Sequence, residues 1–270
     1  ADALQTTVKM INNLSEELNV MRPAMMETGL ESIAYNLNRK NNDLKFFEFG
    51  KTYGVSEAGK YTEDNHLTIY ITGNKSADSW KGKAEKSDFY FIKAVFEKIM
   101  NVLGLKADAY TEAVNPDLTN ALQANIKNEK VAEIGLVANS KLDRFDIKQP
   151  VFYADLNWGR LLKLNKKNYI QHKDVSKYPA VNRDLAIIVN KALPFEAVEK
   201  ATAAAKVNKL TSISLFDIFE SEKIGAGKKS MAISFTFLDE EKTMTDKDID
   251  SMMNKIIGAY EKELGAEIRK

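Results

Sequence analysis

YPAVNRDLAIIV (178–189), SLFDIFES (214–221), KKSMAISFTFLDEEKTMTDKDI (228–249) and GAEIRK (265–270) lie at the spacing of a βαββαβ unit. Leu185, Ile187 and Val189 alternate as a half-buried strand does, and Met231, Ile233, Phe235 and Phe237 repeat the alternation. Between them Pro194 opens FEAVEKATAAA, a helix by composition, because proline is tolerated in the first turn and alanine is the best helix former. Ile213 and Leu215 mark a further strand. Thr245 followed three residues later by Asp248 is a capping-box-like start, after which Ile249, Met252, Ile256, Tyr260 and Leu264 share one helical stripe that Gly265 ends. AEIRK supplies the last strand. The order is shared by many domains, so it fixes an α+β fold and leaves function open.

Working outward, 270 residues suffice for substantial cores and suggest one or two domains. We read two, 1–172 and 173–270. With no cysteine, a disulfide framework or a thiolate zinc site is ruled out, and the composition suits a reducing, cytoplasmic setting. No apolar run reaches the ~20 residues of a membrane span and no signal peptide is visible, so no membrane partner is expected. A formal charge of +1 excludes a uniformly basic nucleic-acid binder while leaving room for a local patch. The chain opens on Ala1 and not on Met, as a fragment of a longer protein would.

Residues before about 172 carry further motifs. INNLSEELNVMRPAMMETGLESIAYNLNRK stands ahead of a run with Phe47, Glu48, Phe49 and Gly50. Trp80 precedes SDFYFIKAVFEKIMNVLG, a helix with Ser87 as candidate N-cap, a stripe of Ile92, Val95, Ile99 and Leu103, and Gly104 as its end. HLTIYI, KVAEIGLV and PVFYADL read as strands. Together with the C-terminal runs, these segments resemble the C-terminal part of the bacterial phenylalanyl-tRNA synthetase β subunit. The match is strong at 20–54 and 177–270, and weak at 105–150, where NPDLTNALQ replaces the family's usual pattern. The resemblance implies a class II synthetase-like antiparallel-sheet module without catalytic groups, then a ferredoxin-fold anticodon-binding domain. It also implies partners, namely the synthetase α subunit and tRNA(Phe) in an α2β2 heterotetramer. ATP and Mg²⁺ would serve the holoenzyme, with no cofactor in this piece.

The missing chemistry agrees with that implication. Class II adenylation needs an arginine on its second motif strand and a glycine-rich strand with another arginine, because charge developing on phosphate must meet positioned cations. Neither is present, so no catalytic residue is assigned. Glu48 lies on the strand most like the second motif without an arginine beside it, as a charge on an edge or interface strand would. His66 and His172 are the only histidines, and with no partner at ligand spacing they make no metal site. Gly225-Ala226-Gly227-Lys228 lacks the full phosphate-loop pattern and precedes a strand, as a hairpin turn does.

Two features are candidates for RNA contact. The connector RLLKLNKKNYIQHKDVSK places Arg160, Lys163, Lys166, Lys167, Lys173 and Lys177 against Asp174 alone, a cation cluster that would bind phosphate through counterion release or form a solvated linker. On the C-terminal sheet, if Met231, Ile233 and Phe235 point inward then Ala232, Ser234 and Thr236 point out, and the same parity carries Phe216 with them, either to stack an unpaired base or to pack under a loop or partner. Arg183 in NRDL and Lys229 match the family's motif positions, with RNA contact and strand-entry ion pairing both open. The family's arginines are replaced here by Asn182 and Lys242. Met25, Met26, Leu30 and Ile33 form an apolar helix surface suited either to docking on α or to core packing. Two other functions fit the same fold: a small-molecule regulatory domain, which the lack of a glycine after the first C-terminal strand disfavours, and an interaction scaffold without RNA contact.

Overall fold

The computed structural model describes residues 7–12, 15, 19–57, 59–165, 172, 174–221 and 224–269, and the chain divides into two compact units, Ala1–Gln171 and His172–Lys270. In the first, helix α1 (Met26–Leu37) leads into strand β1 (Leu44–Glu57), then β2 (Lys60–Thr72), a small hairpin of β3 (Asn74–Ser76) and β4 (Glu85–Lys86), and helix α2 (Phe89–Val102). Strands β5 (Ala109–Glu112), β6 (Leu118–Ile126) and β7 (Glu129–Val137) follow, then a short helix α3 (Asn139–Leu142), β8 (Val151–Asn157) and α4 (Trp158–Asn165). Six of the strands form one antiparallel sheet in the order β1-β2-β8-β7-β6-β5.

Strand parity assigns each face of this sheet to different helices. Leu67, Ile69 and Ile71 of β2 face one way and pack with Ile92, Phe96 and Met100 of α2 and Leu161 of α4. Tyr70 faces the other way and packs with Met26, Leu30 and Ile33 of α1 and with Tyr153 of β8. A Cβ on Gly29 would lie 2.1 Å from the Tyr70 ring, so α1 settles on the sheet only because that position is bare, and the Tyr70 hydroxyl donates to the Met25 carbonyl at 2.7 Å. Burial raises the pKa of both Tyr70 and Tyr153, keeping the phenols protonated. Lys141 of α3 is buried between Glu27 at 2.5 Å and Asp117 at 3.0 Å; burial works against its charge, yet the two ion pairs outweigh it and its pKa rises.

Two local expectations shift by a residue. The N-cap of α2 is Asp88 and not Ser87: the Asp88 carboxylate accepts from the Phe91 amide at 2.7 Å, as capping carboxylates do. Its fully buried stripe is Ile92, Phe96 and Met100, with Val95, Ile99 and Leu103 packed at the margin. The NPDLTNALQ stretch also forms structure, entering β6, where Leu118 and Ala121 are both buried across a register shift between Thr119 and Leu122.

In the second unit, β9 (Val181–Asn190), α5 (Phe195–Ala204), β10 (Leu210–Phe219), β11 (Lys228–Phe237), α6 (Asp246–Leu264) and β12 (Glu267–Ile268) give βαββαβ with the sheet order β10-β11-β9-β12. All its pairings are antiparallel, so the expected α+β fold with a ferredoxin-like domain is the one observed. Both helices lie on one face, where Ile187, Met231, Ile233, Phe235 and Phe237 meet Val198, Ile249, Ile256 and Tyr260. Thr245 and Asp248 form the full capping box, and Gly265 closes α6 at φ 60°, a left-handed conformation that glycine adopts without steric cost. Gly225 and Gly227, at φ 112° and 76°, shape the turn into β11, so the glycine run is a hairpin turn.

Candidate nucleic-acid interface

With both helices on one side, the opposite side of the four-stranded sheet is bare. Reading the register across it, Ser212, Ser214 and Asp217 of β10 stand beside Thr236, Ser234 and Ala232 of β11, and these beside Asn182, Asp184 and Ala186 of β9. The face is carpeted with small and polar side chains, and aromatic groups enter only from its margins. Phe219 lies opposite Ser230 on this face and is 46% exposed. Arg269, whose amide donates to the Ala186 carbonyl at 2.9 Å, reaches over the same face, with its guanidinium carbon 5.7 Å from the Phe219 ring centre. That distance is within cation–π range. Ser230 is left 3% exposed. Lys228 and Glu267 pair at 2.5 Å along the same margin. An exposed ring, a planar cation and a floor of small groups make a surface on which an unpaired base can stack and hydrogen-bond.

Of the residues singled out from the sequence, Ala232, Ser234 and Thr236 lie on this face, while Arg183 and Lys229 do not. Phe216 is the extra residue of a bulge between Leu215, opposite Ile233, and Asp217, opposite Ala232; it is 58% exposed. That extra residue shifts the parity of everything after it, so Phe219, which a straight reading from Leu215 would send toward the helices, turns to the bare face. Arg183 and Lys229 share the parity of the core residues and so lie toward the helix side, Arg183 opposite Phe235 and Lys229 opposite Val189. Arg183 is held by Asp246 at 2.7 Å, at the start of α6.

The basic connector is shorter than its sequence suggests. Arg160 and Lys163 belong to α4; Arg160 donates to the Lys130 carbonyl at 2.8 Å and pairs with Glu129 at 3.2 Å, fastening that helix to the start of β7. Lys163 and Lys177 are exposed, and Lys166, Lys167 and Lys173 lie outside the described residues. The apolar face of α1 is corrected outright. Met25, Met26, Leu30 and Ile33 are 1%, 6%, 0% and 0% exposed, so they are core residues and offer no surface to a partner while the unit is folded.

Several polar groups of the first unit are engaged with one another. Glu48 does have an arginine beside it in space: Arg22 reaches its carboxylate at 2.8 Å and Thr28 at 3.2 Å, passing over Gly50, where a Cβ would lie 2.3 Å from the guanidinium. His66 bridges Thr52 at 2.8 Å and Asp155 at 2.7 Å, tying together β1, β2 and β8, and the bond to Asp155 raises its pKa. Lys130 pairs with Glu133. What the sheet leaves uncovered lies along its edge strand: Phe47 is 70% and Phe49 55% exposed, beside an apolar groove of 380 Å³ that Phe91, Val95 and Ile99 also line.

The fold defines a class: an antiparallel-sheet module followed by a ferredoxin-fold domain whose sheet leaves one face free of helices. The profile of the phenylalanyl tRNA synthetase beta chain CLM domain matches residues 1–158, and that of the ferredoxin-fold anticodon binding domain matches residues 176–269. This chain belongs to the phenylalanyl-tRNA synthetase β chain family. It is 40% identical to the phenylalanine–tRNA ligase beta subunit of Bacteroides fragilis and 42% identical to that of Bacteroides thetaiotaomicron, in each case over 97% of this chain and 33% of the relative. The corresponding subunit of Porphyromonas gingivalis is 34% identical over 98% of this chain and 34% of the relative. The chain thus spans about a third of the length of these curated relatives. Among solved structures, the pyrrolysyl-tRNA synthetase of Desulfitobacterium hafniense superposes loosely, with a TM-score of 0.47 at 12% identity over 62% of this chain and 55% of that one.

Proposed function

We propose that this chain is a catalytically silent part of a phenylalanine–tRNA ligase β subunit that grips the anticodon region of tRNA(Phe) and docks on the α subunit. In this reading the α subunit carries the ATP- and Mg²⁺-dependent joining of phenylalanine to tRNA, in a cytoplasmic α2β2 assembly. The observation that carries it is the bare face bearing Phe219 and Arg269, in the domain that matches the anticodon-binding family. The mutual engagement of Arg22, His66, Lys130 and Arg160 supports catalytic silence, since each of these groups already has an acceptor within the unit. Docking is supported by the exposed Phe47 and Phe49 on edge strand β1, an apolar edge of the sort proteins ordinarily cover.

The deciding experiment is a titration of an anticodon stem-loop against the full-length subunit assembled with α. Phe219→Ala should weaken binding by about 1 to 3 kcal/mol, the usual worth of a stacked base, while leaving the salt dependence unchanged. Phe216→Ala, on the bulge, should do less. Equal affinity for parent and Phe219→Ala would remove the bare face from the account. For docking, Phe47→Ser with Phe49→Ser should leave the fold intact and reduce co-elution with α, and undiminished co-elution would refute that assignment. ATP–pyrophosphate exchange by the chain without α should give no phenylalanine-dependent signal.

A further inference from the structure

The second unit carries sixteen Lys and Arg against sixteen Asp and Glu between His172 and Lys270. A neutral domain gains no general electrostatic attraction for a polyanion, so any such attraction has to come from local separation of charge. Ion pairs consume six of the described cations: Arg183 with Asp246, Lys191 with Glu220, Lys200 with Glu196, Lys209 with Asp239, Lys228 with Glu267 and Lys242 with Asp248. Three of the remainder, Lys206, Lys247 and Lys255, line a single cleft of 270 Å³ with Ser251, Asn208 and the already paired Lys209 and Asp248, at the end of the unit where α5 turns into β10 and α6 begins. None of the three has a carboxylate partner among the described residues.

The placement follows from the backbone. Lys247, Ser251 and Lys255 recur every four residues of α6 and so share one face, with the two lysines roughly 12 Å apart along the axis. Lys206 follows the cap residue of α5 at φ 47°, where glycine is the usual occupant, and Lys209 stands at φ 70° on the same turn. Lysine therefore occupies left-handed positions that a smaller residue would take at lower cost. The nearby acids are already engaged: Asp239 accepts from Lys209, and Asp248 accepts from the Thr245 amide and hydroxyl.

We propose that this cleft is a second RNA-binding surface, one that takes the phosphodiester backbone, while the bare sheet face takes bases. It deepens the anticodon-binding reading and rests on it. Three ammonium groups, with the Ser251 hydroxyl between two of them, suit successive phosphate oxygens as point charges and carry no preference among bases.

The test is RNA binding by the full-length subunit assembled with α, measured across salt concentration. The variant carries Lys206→Gly, Lys247→Ala and Lys255→Ala. Glycine is favoured at the first position and alanine at the two helical ones, so the fold should survive. The slope of log affinity against log salt should flatten by about two units, in line with roughly 0.7 to 0.9 per lost phosphate contact. Arginine at Lys247 and Lys255, with Lys206 kept, should retain the parental slope. An anticodon stem-loop with its loop bases replaced should show the same flattening. If the triple variant keeps the parental slope while Phe219→Ala still weakens binding, the cleft proposal falls and the sheet-face reading stands. Flattening confined to the natural loop sequence would overturn the phosphate assignment. Failure of the parent assembly to bind RNA at all would overturn both.

Discussion

The two sheets differ in what they leave uncovered. In the first unit, α2 and α4 cover one face and α1 the other, and what remains outside is an apolar edge with Phe47 and Phe49. In the second, both helices take one face, and the other is surfaced by Ser, Thr, Ala, Asn, Asp184, Asp217 and Ile188, with the Phe219 ring and the Arg269 guanidinium at its margin. An apolar edge gains most from another protein, which buries its rings and can pair with the free backbone groups of the strand. A polar face with an aromatic ring gains little from such burial and more from a flat, hydrogen-bonding partner. In the proposed function, the pairing of a docking module with a gripping domain follows from where the helices sit.

The two units have separate cores, so destroying one should leave the other standing. Leu30→Asp would put a charge at a fully buried site and should cost more than about 4 kcal/mol, abolishing the first unit's calorimetric transition while the second unit's persists. Loss of both transitions together would mean the cores are not independent. Gly29→Ala drives a methyl into the Tyr70 ring, and should destabilise the first unit by about 1 to 3 kcal/mol, part of which the better helix propensity of alanine returns. An unchanged melting temperature would show that α1 can shift on the sheet.

In the second unit, Thr202 and Tyr260 share a buried hydrogen bond of 2.6 Å, and burial pushes the Tyr260 phenol up to about 12. Tyr260→Phe should cost about 1 kcal/mol and leave the first unit untouched, since Thr202 keeps its bond to the Val198 carbonyl. The smallest expected effect is with pH. The His66 pKa is raised above its ordinary 6.5 by the bond to Asp155, so its stabilisation is fully present below that ordinary value and is lost as pH rises through the folded value. The first unit should therefore melt a few degrees lower at pH 8 than at pH 6 through this group, a difference that Asp155→Asn should shrink. A second-unit transition showing the same dependence would assign the effect to another group.

What could be read from the sequence was local. The Thr245 capping box, the Gly265 stop and the alternation through Met231–Phe237 depend on residues a few positions apart, and each took its expected form. Phe219 escaped because parity counts fail across a bulge, and nothing in SLFDIF marks Phe216 as the inserted residue. The interface assignment on α1 failed differently: an apolar helix face says that something covers it, not whether the cover belongs to the same chain. Arg22 and Glu48 are 26 residues apart, and no local pattern announces such a pair.

Strand β12 is two residues long, and Arg269 lies just past it, held by the backbone bond to Ala186. So short a ladder has few hydrogen bonds of its own, and the half of the ring–cation pair that it carries is expected to open more readily than the rest of the sheet. Ligand binding would then include an ordering step, and affinity would depend on how often Arg269 is already in place. Stiffening this segment would tighten binding without adding a contact, and the amide of Arg269 should lose its slow hydrogen exchange before any other on that face.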